Sequence, residues 1–87
     1  MAWSERGLGV YLAYRVRLAR ARAGLSQGDV ARAVFGAPEY AVWVDQIERA
    51  HRQVTAFEVY RLALVLRVEV GFFFPSGTRG GEAHAQA

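Results

Sequence analysis

Residues 24–31 have the sequence GLSQGDVA, and this stretch marks the junction between two helices. Gly24 can take the left-handed conformation in which helices often end. Two residues later, Ser26 is placed to cap a new helix, and Asp29 can reach back to complete a short version of the capping box. The sequence therefore predicts one helix that ends at Gly24 and a second helix that begins near Gln27.

On both sides of this junction, apolar residues recur at steps of three and four, which is the spacing of an amphipathic helix. The pattern predicts helices over residues 8–23, 27–34, 39–49 and 55–67, and a short helical turn over residues 70–74. Gly36 and Pro38 separate the second helix from the third, because glycine permits a turn and proline cannot continue a helix. We expect an all-α fold.

The predicted inward faces of these helices differ in width. The residues expected to face the core are Val30, Ala31 and Val34 in the second helix, Val44 and Ile47 in the third, and the broad stripe Phe57, Val59, Leu62, Ala63, Val65 and Leu66 in the fourth. Thr55 is placed to cap the fourth helix. These faces predict one compact domain over residues 1–75, and the small, Gly-rich residues 76–87 are expected to form a flexible, disordered tail.

Composition limits the function classes that this chain can serve. Its 87 residues allow one domain with one core. No apolar run reaches the roughly 18 residues of a membrane span, and there is neither an export signal nor a cysteine, so we expect a cytoplasmic protein with no membrane segment. All eleven basic residues are arginine and the net charge is +3, which suits a phosphate partner but is also reached by many ordinary domains.

Residues suited to catalysis or metal binding are scarce in the sequence. There is no Gly-rich phosphate loop, and no Ser, His and Asp set falls on predicted rigid elements. His51 has no second ligand at metal spacing, since His84 lies far away in the tail. We therefore expect a non-enzymatic protein without a metal or a cofactor.

Several spaced features together resemble the Cro/repressor (XRE-like) helix-turn-helix family. They are GLSQ at 24–27, DVA at 29–31, Val44, IER at 47–49, LALVL at 62–66 and Phe73. The resemblance covers residues of about 8–74 and implies a five-helix lambda-repressor-like DNA-binding domain. It also implies an ion pair between Arg20 and Glu48 that holds the third helix against the first.

In that family the third helix enters the major groove and the start of the second meets a phosphate. Carried over to this sequence, the resemblance places the DNA contacts at Gln27, Tyr40, Ala41, Val42, Trp43, Gln46, Arg49 and Arg52. Of the residues 40–43 and 46, which would face the base edges, only Gln46 has the paired donor and acceptor suited to adenine. Arg49 and Arg52 follow the third helix, where the DNA backbone passes in related proteins.

The sequence departs from the family pattern in two places. The interval from Gly24 to Ile47 is three residues longer than usual, which lengthens the turn over residues 35–38. The glycine that follows IER in the family is Ala50 here, so the loop either needs no left-handed residue or accepts some strain. With a changed helix rotation Trp43 would be a core residue, and with the family alignment it would be partly exposed on the DNA side.

Two kinds of partner follow from these observations. The leading hypothesis is a homodimeric transcriptional regulator, expected to be a repressor, that reads double-stranded DNA. The alternative is a helix-turn-helix fold that binds another protein through the apolar face of the third helix. Trp3, Tyr11 and Tyr14, together with the apolar residues Val68, Val70, Phe72, Phe73 and Phe74, exceed what a small core obviously absorbs, so we expect part of this set to form an association surface.

Overall fold

A computed structural model of the chain describes residues 3–76 and contains four α-helices. They are α1 (Glu5–Ala23), α2 (Gln27–Phe35), α3 (Ala41–Glu48) and α4 (Ala56–Leu66). A 3₁₀ helix over Pro38–Tyr40 precedes α3, and another over Val70–Phe73 follows α4. The described residues contain no strand, so the all-helical, compact fold is confirmed. The predicted tail, apart from Ser76, lies outside the described residues.

The helix ends follow from capping chemistry close to each end. Gly24 is left-handed, and its N–H and that of Leu25 bond to carbonyls in the last turn of α1. The capping box at α2 is complete: Ser26 Oγ accepts from the Asp29 N–H, and the Asp29 carboxylate accepts from the Ser26 N–H. These two bonds are also the main reason why the pKa of Asp29 lies below its ordinary value. Thr55 and Glu58 form the same box at α4.

Two predicted helix boundaries were wrong. The first helix begins at Glu5, three residues before the predicted start, because the Ser4 side chain caps it by accepting from the Gly7 N–H at 2.9 Å. The predicted third helix over residues 39–49 is divided, because its first turn is the 3₁₀ helix that starts at Pro38. Regular α-helix begins only at Ala41.

The core lies where α1, α2, α3, α4 and the second 3₁₀ helix meet. Its largest fully buried side chains are Phe73, Ile47, Leu62, Val16, Val30 and Val44. The predicted inward faces of the second and third helices are buried as expected. In α4, however, Phe57 is 64% exposed, so its assignment to the inward stripe was wrong. It lies on the opposite side of the helix from Val59, Leu62 and Leu66.

Part of the apolar sequence that was expected to form an association surface instead packs against the core in the second 3₁₀ helix. Phe73 is fully buried and Phe72 is half-buried. Arg15 of α1 ties this segment down, because its Nε donates to the Phe72 carbonyl at 2.8 Å and its guanidinium lies 3.7 Å from the Phe72 ring centre. Only Val70 of this segment is a large exposed apolar residue.

The loop after α3 contains a residue other than glycine in the left-handed conformation, which is one of the two alternatives that the sequence left open for Ala50. Ala50 has a φ of 59°, in the left-handed region that residues with a Cβ rarely occupy. The conformation lets the Ala50 and His51 N–H groups bond to the carbonyls of Ile47 and Gln46. The loop therefore does use a left-handed residue and accepts the strain of an alanine there.

No helix among residues 3–76 is both long enough and apolar enough to span a membrane.

Candidate nucleic-acid interface

The outward face of α3 carries three side chains in one line, at Val42, Gln46 and Arg49. They stand four and three residues apart, opposite the buried Val44 and Ile47. Val42 and Arg49 are exposed and Gln46 is half-buried. The line therefore presents an apolar group, an amide and a guanidinium to any ligand that approaches α3 from outside.

Beneath this line, a polar network joins α3 to α1 and α2. Arg20 Nε donates to Glu48 Oε2 at 2.6 Å and Arg20 Nη2 donates to Glu48 Oε1 at 3.0 Å, so the pair expected from the resemblance is present in two-point form. Arg20 Nη1 also donates to the carbonyl of Leu25 in the α1–α2 turn. Hydrogen bonding to Glu48 is the main cause that raises the pKa of Arg20. The buried Glu48 thus fixes the end of α3 to the last turn of α1, next to the α1–α2 turn.

Gln27 extends the same network from the first position of α2. Its Nε2 donates to Glu48 Oε1 at 3.1 Å and to Asp45 Oδ1 at 3.3 Å. Both bonds use the amide nitrogen, so the Oε1 of Gln27 is left as the group that can accept from a ligand. The structure therefore places Gln27 as a link between α2 and α3, with both of its amide donors used within the protein.

Asp45 also belongs to this polar network, and the sequence did not predict it. It accepts from Gln27, and its Oδ2 also accepts from Arg49 Nε at 2.8 Å, one helical turn away. The bond from Gln27, and then the bond and charge of Arg49, hold the pKa of Asp45 below its ordinary value. The four-residue spacing of Asp45 and Arg49 is the sequence signal that could have found this pair.

Trp43 lies in a cluster of aromatic rings on another side of α3. Its ring stacks on Tyr40 with centroids 4.1 Å apart and meets Phe35 edge-on at 5.1 Å. The Arg52 guanidinium lies 4.6 Å from the Trp43 centroid. This partly buried cluster connects the end of α2, through Phe35, to both ends of α3.

The remaining predicted contact residues are held to different degrees. Arg52 pairs with Glu58 through its Nη2 at 3.4 Å, and its Nε is buried without a hydrogen-bond partner among the described residues, so its guanidinium lies between the aromatic cluster and α4. Ala41 is partly buried against the core. Tyr40 is exposed at the edge of the aromatic cluster. Of the predicted set, Val42, Gln46 and Arg49 form the outward line, while Trp43 and Arg52 lie together beside it.

Positive charge is concentrated on α1 and not on the segment that contains α2 and α3. Residues 24–53 contain three arginines and four acidic residues, which gives a net charge of −1. Residues 5–23 contain five arginines against one glutamate, which gives +4. Any polyanion that binds to α3 therefore meets a nearly neutral surface, with the basic helix behind it.

Among residues 3–76, no group of three or more His, Asp or Glu side chains is arranged to hold a metal ion. Comparison of the chain with protein-family models, with curated proteins and with solved structures finds no match.

Proposed function

We propose that this protein is a sequence-specific DNA-binding regulator of transcription, with a five-helix lambda-repressor-like fold in which the second 3₁₀ helix takes the place of the fifth helix. In this proposal α3 enters the major groove of double-stranded DNA, and a cytoplasmic homodimer reads two half-sites. Its direction of regulation would be repression. The proposal rests on the resemblance in residues 24–31, 44–49 and 62–66 together with the fixed placement of α3.

The observation that carries the proposal is the division of α3 into a fixed side and a free side. Glu48, bonded to Arg20 and Gln27, fixes one side to α1 and α2. Val42 and Gln46 make no hydrogen bond, ring contact or ion pair through their side chains within residues 3–76. A rigid helix with an unoccupied outward line meets the geometric need of major-groove reading, because base contacts require side chains held in register.

The start of α2 supplies a second contact. The backbone N–H groups of Gln27 and Gly28 have no partner among the described residues, and they lie at the positive end of the helix dipole. A DNA phosphate could accept from them, as helix N-termini commonly allow. The Asp29 carboxylate stands one turn away and opposes this contact, so we expect it to be weaker than at a neutral helix start.

A protein-interaction module is the second candidate, in which the apolar part of α3 binds another protein and DNA contact is weak. The net charge of −1 over residues 24–53 favours this candidate, since DNA affinity depends largely on basic groups that meet phosphates. Val42, 54% exposed, would then contact a protein surface and not a thymine methyl group.

Gln46→Ala distinguishes base reading from nonspecific contact. We expect it to relax the choice of base at one position in each half-site and to cost roughly 1–3 kcal/mol on the preferred site, because an amide can bond to adenine at two points. Binding-site selection from a random duplex pool, with parent and variant side by side, measures this. Ala33→Ser on the exposed face of α2 is a control that should leave the selected sequence unchanged. Identical selected sequences for parent and Gln46→Ala would exclude reading through Gln46.

A further inference from the structure

A groove lies between the end of α1 and the end of α4. Its volume is about 560 Å³, which falls within the range of small-ligand sites. Ala19 and Ala23, one turn apart on α1, line one side and offer only methyl groups, while Val65 of α4 and Val68 just beyond it line the other. The small side chains of α1 therefore leave space between the two helix ends.

Two hydrogen bonds hold the walls of this groove in place. Arg15 Nε donates to the carbonyl of Phe72, and Arg20 Nη1 donates at 3.0 Å to the carbonyl of Leu25 in the turn after α1. Phe72 and Leu25 both line the groove, and both pack against the core while remaining only partly buried. The groove is therefore already formed in the free protein, with the mostly apolar lining that small-molecule sites have.

Two arginines supply the charged part of the lining. Arg22 lies in the last turn of α1, Arg67 follows α4, and both are exposed. Neither forms an ion pair within residues 3–76, and no acidic residue lines the groove. The C-termini of the two helices carry roughly half a negative charge each, which the two guanidinium groups outweigh. The groove therefore favours an anionic ligand.

The backbone at Arg67 is a further observation on this site. α1 and α2 end in the left-handed glycines Gly24 and Gly36, the residue type that takes this conformation without steric cost. At the end of α4 an arginine takes it instead, with a φ of 59°. The chain thus accepts strain that a glycine would avoid, and it gains a guanidinium at the groove.

We propose that this groove binds a small carboxylic acid with an apolar body, whose carboxylate pairs with Arg22 and Arg67. A guanidinium can bond to a carboxylate at two points, and the apolar lining contacts the rest of the molecule. A phosphate ion would leave that lining in water, and a neutral apolar molecule would gain nothing from the arginines. The inference does not depend on DNA binding, and its test contains no DNA, so either proposal can fail alone.

Octanoate is the probe that tests the proposal. Titration into the isotope-labelled full chain, followed by amide NMR, should give saturable shifts centred on residues 19–25 and 65–72. We expect a dissociation constant of about 0.1–1 mM for a ligand of this size. Octanol, which keeps the chain without the charge, should bind about threefold more weakly. Acetate, which keeps the charge without the chain, should give no saturable shift.

Arg22→Gln and Arg17→Gln are a matched pair, because each removes one exposed guanidinium from α1. Arg22→Gln should weaken octanoate binding about threefold, whereas Arg17 lies outside the groove and its variant should bind like the parent. Arg67→Gly should also weaken binding, although it relieves the left-handed strain and should melt no lower than the parent. Circular dichroism melting checks the fold of each variant, so a loss of binding in Arg67→Gly is separated from unfolding.

Three results would overturn the proposal. Octanoate shifts that do not saturate, or that spread over the whole surface, would leave the groove without a small-molecule ligand of this class. Octanol that binds as tightly as octanoate would show that the arginines do not recognise a carboxylate. Equal losses in Arg22→Gln and Arg17→Gln would reduce the effect to the general attraction of a basic helix.

Discussion

Arg20→Ala should lower the free energy of unfolding by about 3–5 kcal/mol, as expected when one partner of a buried ion pair is removed. The Glu48 side chain is 4% exposed, and Arg20 supplies both of the charged hydrogen bonds that its carboxylate accepts. Without Arg20 the carboxylate is buried with only the Gln27 amide as a partner. The Leu25 carbonyl loses its donor as well. Urea denaturation followed by circular dichroism measures the change.

Glu48→Gln is the matched control for this pair. It removes the buried charge, keeps a side chain of similar shape, and leaves Arg20, which is 20% exposed, able to turn toward water. We expect it to cost clearly less than Arg20→Ala. If Arg20→Ala cost no more than Arg17→Ala, an exposed arginine on the same helix, the pair would not be what fixes α3.

Trp43→Ala should lower the free energy of unfolding by about 3 kcal/mol, near the lower end of the range for a buried aromatic residue. The indole is half-buried between Tyr40 and Phe35, and Arg52 lies over its ring. Its removal therefore opens the cluster that joins the turn before α3 to the loop after it. Thermal unfolding of the free protein, with no ligand added, measures the loss.

Val42→Ala provides the comparison for Trp43, because Val42 is the neighbouring residue and points outward. We expect a change within about 0.5 kcal/mol, as for most surface substitutions. A Trp43→Ala variant as stable as Val42→Ala would show that the indole is displayed to a partner and does not support the fold.

The features that the sequence predicted correctly depend on interactions between residues close in the chain. The left-handed Gly24 follows from the backbone freedom of glycine itself. The capping box of Ser26 and Asp29 and the cap at Thr55 involve side chains within three residues of the groups they satisfy. Such interactions need no knowledge of the tertiary structure. The same holds for the inward face of α2, where the buried residues Val30, Ala31 and Val34 share one side.

The features that the sequence missed depend on tertiary packing. α4 has apolar residues on nearly every side, so periodicity could not decide which of them faces the core, and Phe57 was assigned inward when it is outward. The placement of Arg52 likewise depends on tertiary contacts, because Trp43 of α3 and Phe35 at the end of α2 both lie against its guanidinium. Asp45 receives its bond from Gln27 only because α2 lies alongside α3, whereas its pair with Arg49 is a local contact.

Electrophoretic mobility shift of the parent on duplex DNA fragments, repeated over a series of salt concentrations, tests DNA binding by α3 most directly. The logarithm of the association constant should fall linearly as the logarithm of salt concentration rises, and Arg49→Ala should reduce that slope by roughly one unit. Arg17→Ala, an exposed arginine on α1, is the control that should leave the slope unchanged. No shift even at low salt, or a slope that Arg49→Ala leaves unchanged while Arg17→Ala lowers it, would contradict the proposal that α3 binds DNA.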